Sequence, residues 1–201
     1  MNIYALAKKT IAENDGIARN VDFQKNGLSN SQVTYLCNRG YLDRVRRGYY
    51  QLGSYQDSSD EKIIARLFPD GILCMDSALF HYGYSDRTPL EWTIAFPRTI
   101  TRTRMRVISP IIKPYFVSEE LFFLGRTEQL INDVQLAMYD RDRTICDCFK
   151  YQRKIDSEMF NKAIVAYSKD VKKNLGNLIT YAKKMRVYRK MSEIMGVLIN
   201  G

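Results

Sequence analysis

The spacing of apolar residues changes at Gly40 from a helical to an extended pattern, and this change limits the folds open to the N-terminal part of the chain. Before Gly40, apolar residues recur at intervals of three and four in a segment that Ser29 can cap, which predicts a helix over 30–39. After Gly40, residues 41–52 alternate around Gly48, which supplies the positive φ of a tight turn. A helix followed directly by a β-hairpin is therefore predicted.

Two shorter helical patterns precede this one. Residues 3–14 place their apolar side chains on one face, and a short helix is predicted over 19–26. The connection from Asn26 to Ser29 is brief and contains a glycine, as in a helix-turn-helix. Three helices followed by a basic hairpin have the order of a winged helix-turn-helix.

The rest of the chain predicts a second region of mixed structure. Residues 53–61 are small, polar and turn-forming, so they are the best linker candidate, and the helix predicted over 61–68 can complete the first region or open the second. The other predicted elements are helices over 75–82, 142–155, 157–170, 171–185 and 187–199, strands over 92–96 and 106–112, and a partly extended segment over 116–124.

The predicted fold class is α+β, with two domains. The first is a winged helix-turn-helix domain over 1–56, with an alternative end near residue 70. The second, over 60–201, is a mixed α/β domain with a small sheet and a C-terminal helical layer.

The charge of the chain favours an anionic partner. The formal net charge is +9, and the excess lies at the two ends, whereas the middle is slightly acidic. Such an excess attracts nucleic acids or anionic surfaces at long range, although solubility alone is the plainer explanation.

The predicted helix and hairpin carry the residues best suited to meet DNA. Polar and aromatic side chains on the outward helix face can reach base edges from the major groove, and hairpin arginines can contact phosphates or enter the minor groove. The alternatives are an ordinary solvated helix face and a hairpin whose charges protect an edge strand from aggregation. The candidate DNA-binding residues are Ser31, Gln32, Thr34, Tyr35, Asn38, Arg39, Arg44, Arg46 and Arg47.

Two further groups of basic residues form a candidate second surface. Arg102, Arg104 and Arg106 share one face if their segment is a strand, where they form either a contact stripe for a polyanion or protein, or a solvent-facing edge. The others are assigned to the exposed faces of the last two helices, as solvated charge or as a second DNA or RNA contact: Lys172, Lys173, Lys183, Lys184, Arg186, Arg189 and Lys190.

No catalytic or metal-binding pattern stands out. The four cysteines contain no C-x-x-C pair, His81 is the lone histidine, and P-loop, dinucleotide and H-E-x-x-H motifs are absent. The carboxylates Asp140, Asp142 and Asp147 are better explained as the charged N-terminus of a helix than as a metal site. We therefore expect no enzyme, no cofactor and no metal.

The sequence also bears on where the chain resides. The N-terminus lacks the apolar core of a signal peptide, and no apolar run approaches membrane-spanning length. A disulfide framework is not expected from these cysteines, so a reducing cytoplasm is the expected location and a membrane is not an expected partner.

Two motifs give the chain a resemblance to a known family. The hairpin LDRVRRGYYQL has the form L-x-R-x-R-R-G-x-Y-x-L, and the more specific stretch DRTICDCFKYQRKI at 142–155 precedes a helix with Ala163 and Tyr167. Together they resemble AbiEi, the antitoxin and transcriptional regulator of the AbiE abortive-infection toxin–antitoxin system of bacteria.

This resemblance implies two functions. The N-terminal domain would bind inverted repeats of double-stranded DNA in its own promoter and repress the operon. The C-terminal domain would counteract a cognate nucleotidyltransferase toxin, as a type IV antitoxin that needs no stable complex with it. The alternatives are an antitoxin that binds its toxin directly, a plain winged-helix transcription factor, and a nucleic-acid-modifying enzyme with a winged-helix targeting domain.

Overall fold

The computed structural model describes residues 2–53, 59–105 and 107–199, which form two compact units. The first unit comprises the chain up to Pro69 with two later segments, Arg102–Ile111 and Ile131–Val134. The second unit comprises Asp70–Thr101, Ile112–Leu130 and the chain from Gln135 onward. Residues 54–58 of the predicted linker lie outside the described residues.

Four α-helices among the described residues belong to the first unit, and three of them match the N-terminal predictions to within two residues. The third begins after Ser29, the predicted cap. The fourth, predicted over 61–68, clusters with the N-terminal helices. The four are α1 (Ile3–Ala12), α2 (Asn20–Lys25), α3 (Asn30–Asn38) and α4 (Asp60–Leu67).

The predicted hairpin forms the sheet of this unit. Strands β2 (Leu42–Arg46) and β3 (Tyr49–Leu52) are antiparallel and turn at Gly48, whose φ is +80° as predicted. A two-residue strand, β1 (Ala18–Arg19), pairs with the other edge of β3 and was not predicted. The strand order is therefore β1-β3-β2, with β2 at an edge.

The core of this unit lies between the helices and the sheet. Phe23 of α2 packs edge-on against Tyr50 of β3, with ring centroids 5.9 Å apart. At the turn between α2 and α3, the Asn26 amide donates to the Thr10 hydroxyl and to the Glu13 carboxylate, at 2.9 and 3.0 Å. These bonds fix the turn to α1, and thereby the direction in which α3 starts.

Helix α4 is attached to the same unit by polar contacts. Arg66 donates to Asn14 at 3.0 Å and lies 3.7 Å from Asp22. Asp22 also accepts from the side chain and backbone of Arg19, and the side-chain hydrogen bond is the main reason that its pKa is lowered.

The second unit contains a five-stranded mixed sheet, in the order β6-β5-β4-β8-β7. Strands β5 and β6 are parallel, β4 and β5 antiparallel, and β4 and β8 parallel. The strand predicted over 92–96 is confirmed as β5, whereas three of the others were not predicted. The strands are β4 (Ile72–Leu73), β5 (Trp92–Pro97), β6 (Ile112–Val117), β7 (Arg126–Ile131) and β8 (Val134–Tyr139).

One strand prediction in this region, over 106–112, is wrong. Residues 107–111 are irregular, and the strand begins only at Ile112, after Pro110. Proline cannot donate to a ladder, which keeps it out of central strands, and β6 itself, with Pro114, lies at the sheet edge. The segment predicted as partly extended over 116–124 is extended only to Val117 and then forms α6 (Glu119–Phe122).

The predicted C-terminal helices are present, with changed limits. The helix predicted over 171–185 begins only at Leu175, because Asn174 is its N-cap and accepts from the Asn177 amide. The helices are α5 (Met75–His81), α7 (Arg141–Lys150), α8 (Ser157–Lys169), α9 (Leu175–Lys184) and α10 (Tyr188–Ile199).

A buried ion pair organises the centre of this unit. Arg143 of α7 is 0% exposed, and its Nε donates to Asp147, one turn later, at 3.2 Å. Its Nη1 donates to the carbonyls of Leu121 and Leu124, both at 2.7 Å, and the guanidinium carbon lies 4.1 Å from the Tyr139 ring centroid. The charge of Arg143 is therefore compensated by a carboxylate, two carbonyls and a ring.

We expect Asp147→Ala to destabilise the second unit by about 3–5 kcal/mol, because it leaves the Arg143 guanidinium buried without its carboxylate. Urea unfolding measures the change. Glu158→Ala is the control, since it breaks exposed ion pairs with Arg87 and Lys162 and is expected to cost less than about 1 kcal/mol. Equal costs for the two variants would contradict the assigned role of the buried pair.

Candidate nucleic-acid interface

The start of α3 is fixed by a reciprocal cap. The Ser29 amide donates to the Gln32 side-chain carbonyl at 2.8 Å, and the Ser29 hydroxyl accepts from the Gln32 amide at 3.3 Å. Gly27, with a φ of +83°, ends α2 just before it, and Leu28 is buried in the core. The Gln32 side-chain oxygen is thus engaged in capping. Its NH₂ group remains as the donor that can bind a ligand.

Helix α3 has one buried and one exposed face, as predicted. Val33 and Leu36 are buried in the core, and Cys37 packs at its margin. The exposed side chains are polar or aromatic and comprise Ser31, Thr34, Tyr35, Asn38 and Arg39.

Two of these residues are arranged in advance of any ligand. Arg39 Nε donates to the Tyr35 hydroxyl at 3.2 Å, and its guanidinium carbon lies 5.6 Å from the Tyr35 ring centroid. Thr34, by contrast, donates its hydroxyl to the Asn30 carbonyl at 2.9 Å. The exposed face therefore carries the ring of Tyr35 and, held against it, the cation of Arg39.

The hairpin arginines are held against tyrosine rings. The guanidinium carbon of Arg46 lies 4.3 Å from the Tyr49 ring centroid, and that of Arg44 lies 6.0 Å from the Tyr50 centroid. Arg47 is exposed in the turn beside Gly48. Such ring contacts reduce the side-chain freedom that a binding event would otherwise have to remove.

The edge of this hairpin is occupied by a later segment of the same unit. Strand β2 has a bulge between Arg44 and Arg46, and the Val45 carbonyl there accepts from the Ile108 amide at 3.1 Å. The condition for a shared arginine face, a strand at Arg102 and Arg104, is not met, because Arg102–Met105 form a 3₁₀ turn, which lacks the twofold alternation of a strand. Arg102 is exposed, whereas Arg106 and the side chain of Arg104 lie outside the described residues.

The sequence predicts all of the C-terminal lysines and arginines on helix faces, but three of them lie outside the helices. Lys172 and Lys173 precede α9, and Lys173 donates to the carbonyls of Ser168 and Asp170. Arg186 lies between α9 and α10. The remaining four are in the last turn of α9 or the first turn of α10, namely Lys183, Lys184, Arg189 and Lys190.

The carboxylates near the start of α7 accept hydrogen bonds from other groups of the same unit. Asp140 is the N-cap and accepts from the Arg143 amide at 2.7 Å, as predicted. Asp142 accepts from the Tyr167 hydroxyl at 2.7 Å and from the Asn174 amide at 2.9 Å. In the described part of the chain, no three His, Cys, Asp or Glu side chains are grouped so as to hold a metal ion. No helix among the described residues is long and apolar enough to cross a membrane.

Comparison with known proteins bears on this interface directly. Residues 7–53, which hold α1 to α3 and the hairpin, match the model of a family described as "Transcriptional regulator, AbiEi antitoxin". The resemblance to AbiEi is confirmed for this segment. The family so matched is one of regulators that act on transcription and as antitoxins.

A similar fold is known over most of the chain. The crystal structure of the RV2827C protein from Mycobacterium tuberculosis superposes with a TM-score of 0.70 at 12% sequence identity, covering 91% of this chain and 72% of that one. At this identity the likeness concerns the fold alone. No curated protein matches the sequence significantly.

We expect Ser29→Ala to destabilise the first unit by about 0.5–2 kcal/mol, because it removes the hydroxyl that caps α3. Thermal unfolding followed by circular dichroism measures the loss. Asn38→Ala, at an exposed position at the other end of the same helix, is the control and is not expected to destabilise the unit by more than about 0.5 kcal/mol. A larger loss of stability with Asn38→Ala than with Ser29→Ala would contradict the capping assignment.

Proposed function

We propose that the chain is an AbiEi-type antitoxin that represses its own operon by binding inverted repeats in the promoter. The first unit acts as a winged helix-turn-helix in which α3 enters the major groove and the hairpin is the wing. The DNA-binding domain spans 1–56 in its short form, and the contacts of Arg66 in α4 favour an end near residue 70.

One observation carries this proposal. The exposed polar face of α3 and the tyrosine-supported arginines of the hairpin occur together in the segment that matches the regulator family. Major-groove readout needs donors and acceptors on a helix, and phosphate contacts need cations at fixed positions. Ser31, Tyr35 and Asn38 supply the first, and Arg46 and Arg47 supply the second.

The second function belongs to the C-terminal domain, which was predicted over 60–201 and begins near residue 70 if α4 belongs to the first domain. We propose that it counteracts a cognate nucleotidyltransferase toxin, without a stable complex, as the resemblance of residues 142–155 to AbiEi implies. Direct binding of the toxin is the second candidate, and a plain transcription factor is the third. These candidates differ in whether growth is rescued and whether the two proteins co-purify.

DNA binding is tested by titrating duplex DNA from the region upstream of the coding sequence at several salt concentrations. We expect Arg46→Ala with Arg47→Ala to weaken binding and to reduce the slope of log K against log salt by roughly two units, because two phosphate contacts are lost. Lys8→Ala with Lys9→Ala is the control, since it removes the same charge from exposed positions on α1 and should leave the slope nearly unchanged.

Absence of binding by the unmodified chain, or equal slopes for the two double variants, would refute the repressor assignment. Antitoxicity is assayed separately by co-expressing the full chain with the neighbouring gene product. Rescue of growth by the Arg46→Ala, Arg47→Ala variant would separate the two functions, and co-purification would favour direct neutralisation.

A further inference from the structure

Strand β2 lies at one edge of the sheet of the first unit, and its ladder with β3 is interrupted by a bulge. Before the bulge, Arg44 pairs with Tyr50. If the antiparallel ladder continued regularly from that pair, Arg46 would be opposite Gly48. Arg46 is opposite Tyr49 instead, because β2 has one extra residue between the two pairs. The bulge therefore decides which residue of β3 lies opposite Arg46.

This shift in pairing gives Arg46 its contact with a ring. The guanidinium carbon of Arg46 lies 4.3 Å from the centroid of the Tyr49 ring. Gly48 has no side chain, so in a regular ladder the residue opposite Arg46 could not provide such a contact. The bulge is thus the local structure that holds the Arg46 cation at a fixed place on the hairpin.

The extra residue of the bulge finds its hydrogen-bond partner outside the hairpin. A bulge takes the backbone of its extra residue out of the ladder, and a buried carbonyl without a partner costs free energy. The extra residue is Val45, which is 4% exposed, and its carbonyl accepts from the Ile108 amide at 3.1 Å. This hydrogen bond therefore stabilises the bulge.

Ile108 contributes to the hairpin mainly through its backbone, since the residue is 72% exposed. It belongs to the segment Arg102–Ile111, which is part of the first unit although it lies between β5 and β6 in the sequence. The segment is also outside residues 7–53, which match the regulator family. The hairpin is thus completed by a part of the chain that is distant in sequence.

We propose that the Ile108 amide is a positioning group for DNA binding, which holds the bulge of β2 and thereby fixes the Arg46 cation for contact with a DNA phosphate. Phosphate contacts set the register of a protein on DNA, and a cation fixed in advance loses less conformational freedom on binding. The inference rests on the proposed binding of DNA by the hairpin. It goes beyond that function because it makes the DNA-binding unit discontinuous in sequence.

The test compares two substitutions at position 108 in the full chain. Ile108→Pro removes the hydrogen that the Val45 carbonyl accepts, because proline has no backbone N–H. Ile108→Ala shortens the exposed side chain but keeps the amide, so it is the conservative variant. Each is titrated with duplex DNA from the region upstream of the coding sequence, at low salt, where weakened variants still bind.

We expect Ile108→Pro to bind this duplex roughly three- to tenfold more weakly than the unmodified chain, in line with the net contribution of one hydrogen bond. Ile108→Ala should bind within about twofold of the unmodified chain, as is usual for a surface substitution. Equal affinities of the two variants overturn the proposal, because the variants differ in the amide.

A double-mutant cycle separates positioning of the cation from a general structural effect. In a chain that already carries Arg46→Ala, we expect Ile108→Pro to weaken binding by less than about twofold, because the cation that the amide positions is gone. A loss in that background as large as the loss in the unmodified chain overturns the proposal, since the amide would then act through another group.

Hydrogen exchange of the Ile108 amide tests the proposal without any substitution, so that folding of a variant is not at issue. The amide should be protected in the unmodified chain, and saturating duplex should slow its exchange further, because DNA binding favours the hairpin with its bulge formed. An unprotected amide, or exchange that the duplex does not change, overturns the proposal.

The titrations also distinguish this inference from the proposed repressor. Absence of binding by the unmodified chain refutes the repressor and, with it, the role of the Ile108 amide. Binding by the unmodified chain together with equal affinities of Ile108→Pro and Ile108→Ala refutes the positioning role alone.

Discussion

The second unit depends on the compensation of one buried charge. Arg143 lies in the first turn of α7, a helix that packs against α5, α8, α9 and α10. Burying a guanidinium is costly unless nearly all of its donors find partners, and here Asp147, two carbonyls around α6 and the Tyr139 ring share that task. Because the two carbonyls lie in or just after α6 and the ring belongs to β8, Arg143 connects α7 to both of these elements.

Two further carboxylates, at the N-cap and in the first turn of α7, accept hydrogen bonds from neutral donors of other helices. Asp140 accepts from the Tyr181 hydroxyl of α9, and Asp142 accepts from the Tyr167 hydroxyl of α8. Burial raises the pKa of Tyr181 to about 12, so this phenol remains a donor at any physiological pH. Asp140 and Asp142 are thereby engaged within the unit and tie α7 to α9 and α8.

Much of the first unit could be predicted because its signals are local. A serine cap, a glycine with positive φ and alternation over 41–52 each act within a few residues, and the structure has the helix and hairpin there. Strands β1 and β4 are only two residues long and exist through partners far away in sequence. Strand β7 is polar and lies at a sheet edge, so RTEQLI carries no apolar pattern that would indicate a strand.

The candidate sites also differ in whether they depend on local or on long-range contacts. The faces of α3 follow from helical periodicity, whereas the 3₁₀ turn at Arg102–Met105 removed the basis for the arginine stripe. The pair Arg143 and Asp147 has the spacing of an ordinary exposed i,i+4 pair, and only its burial reveals its importance.

The arginines of the first unit share one arrangement. Arg39, Arg44 and Arg46 each have the guanidinium carbon within 6.0 Å of a tyrosine ring centroid. A planar guanidinium held against a ring keeps directed donors and has less side-chain freedom to lose on binding than a lysine ammonium, which acts as a point charge on a flexible stem. This arrangement suits contacts of fixed geometry.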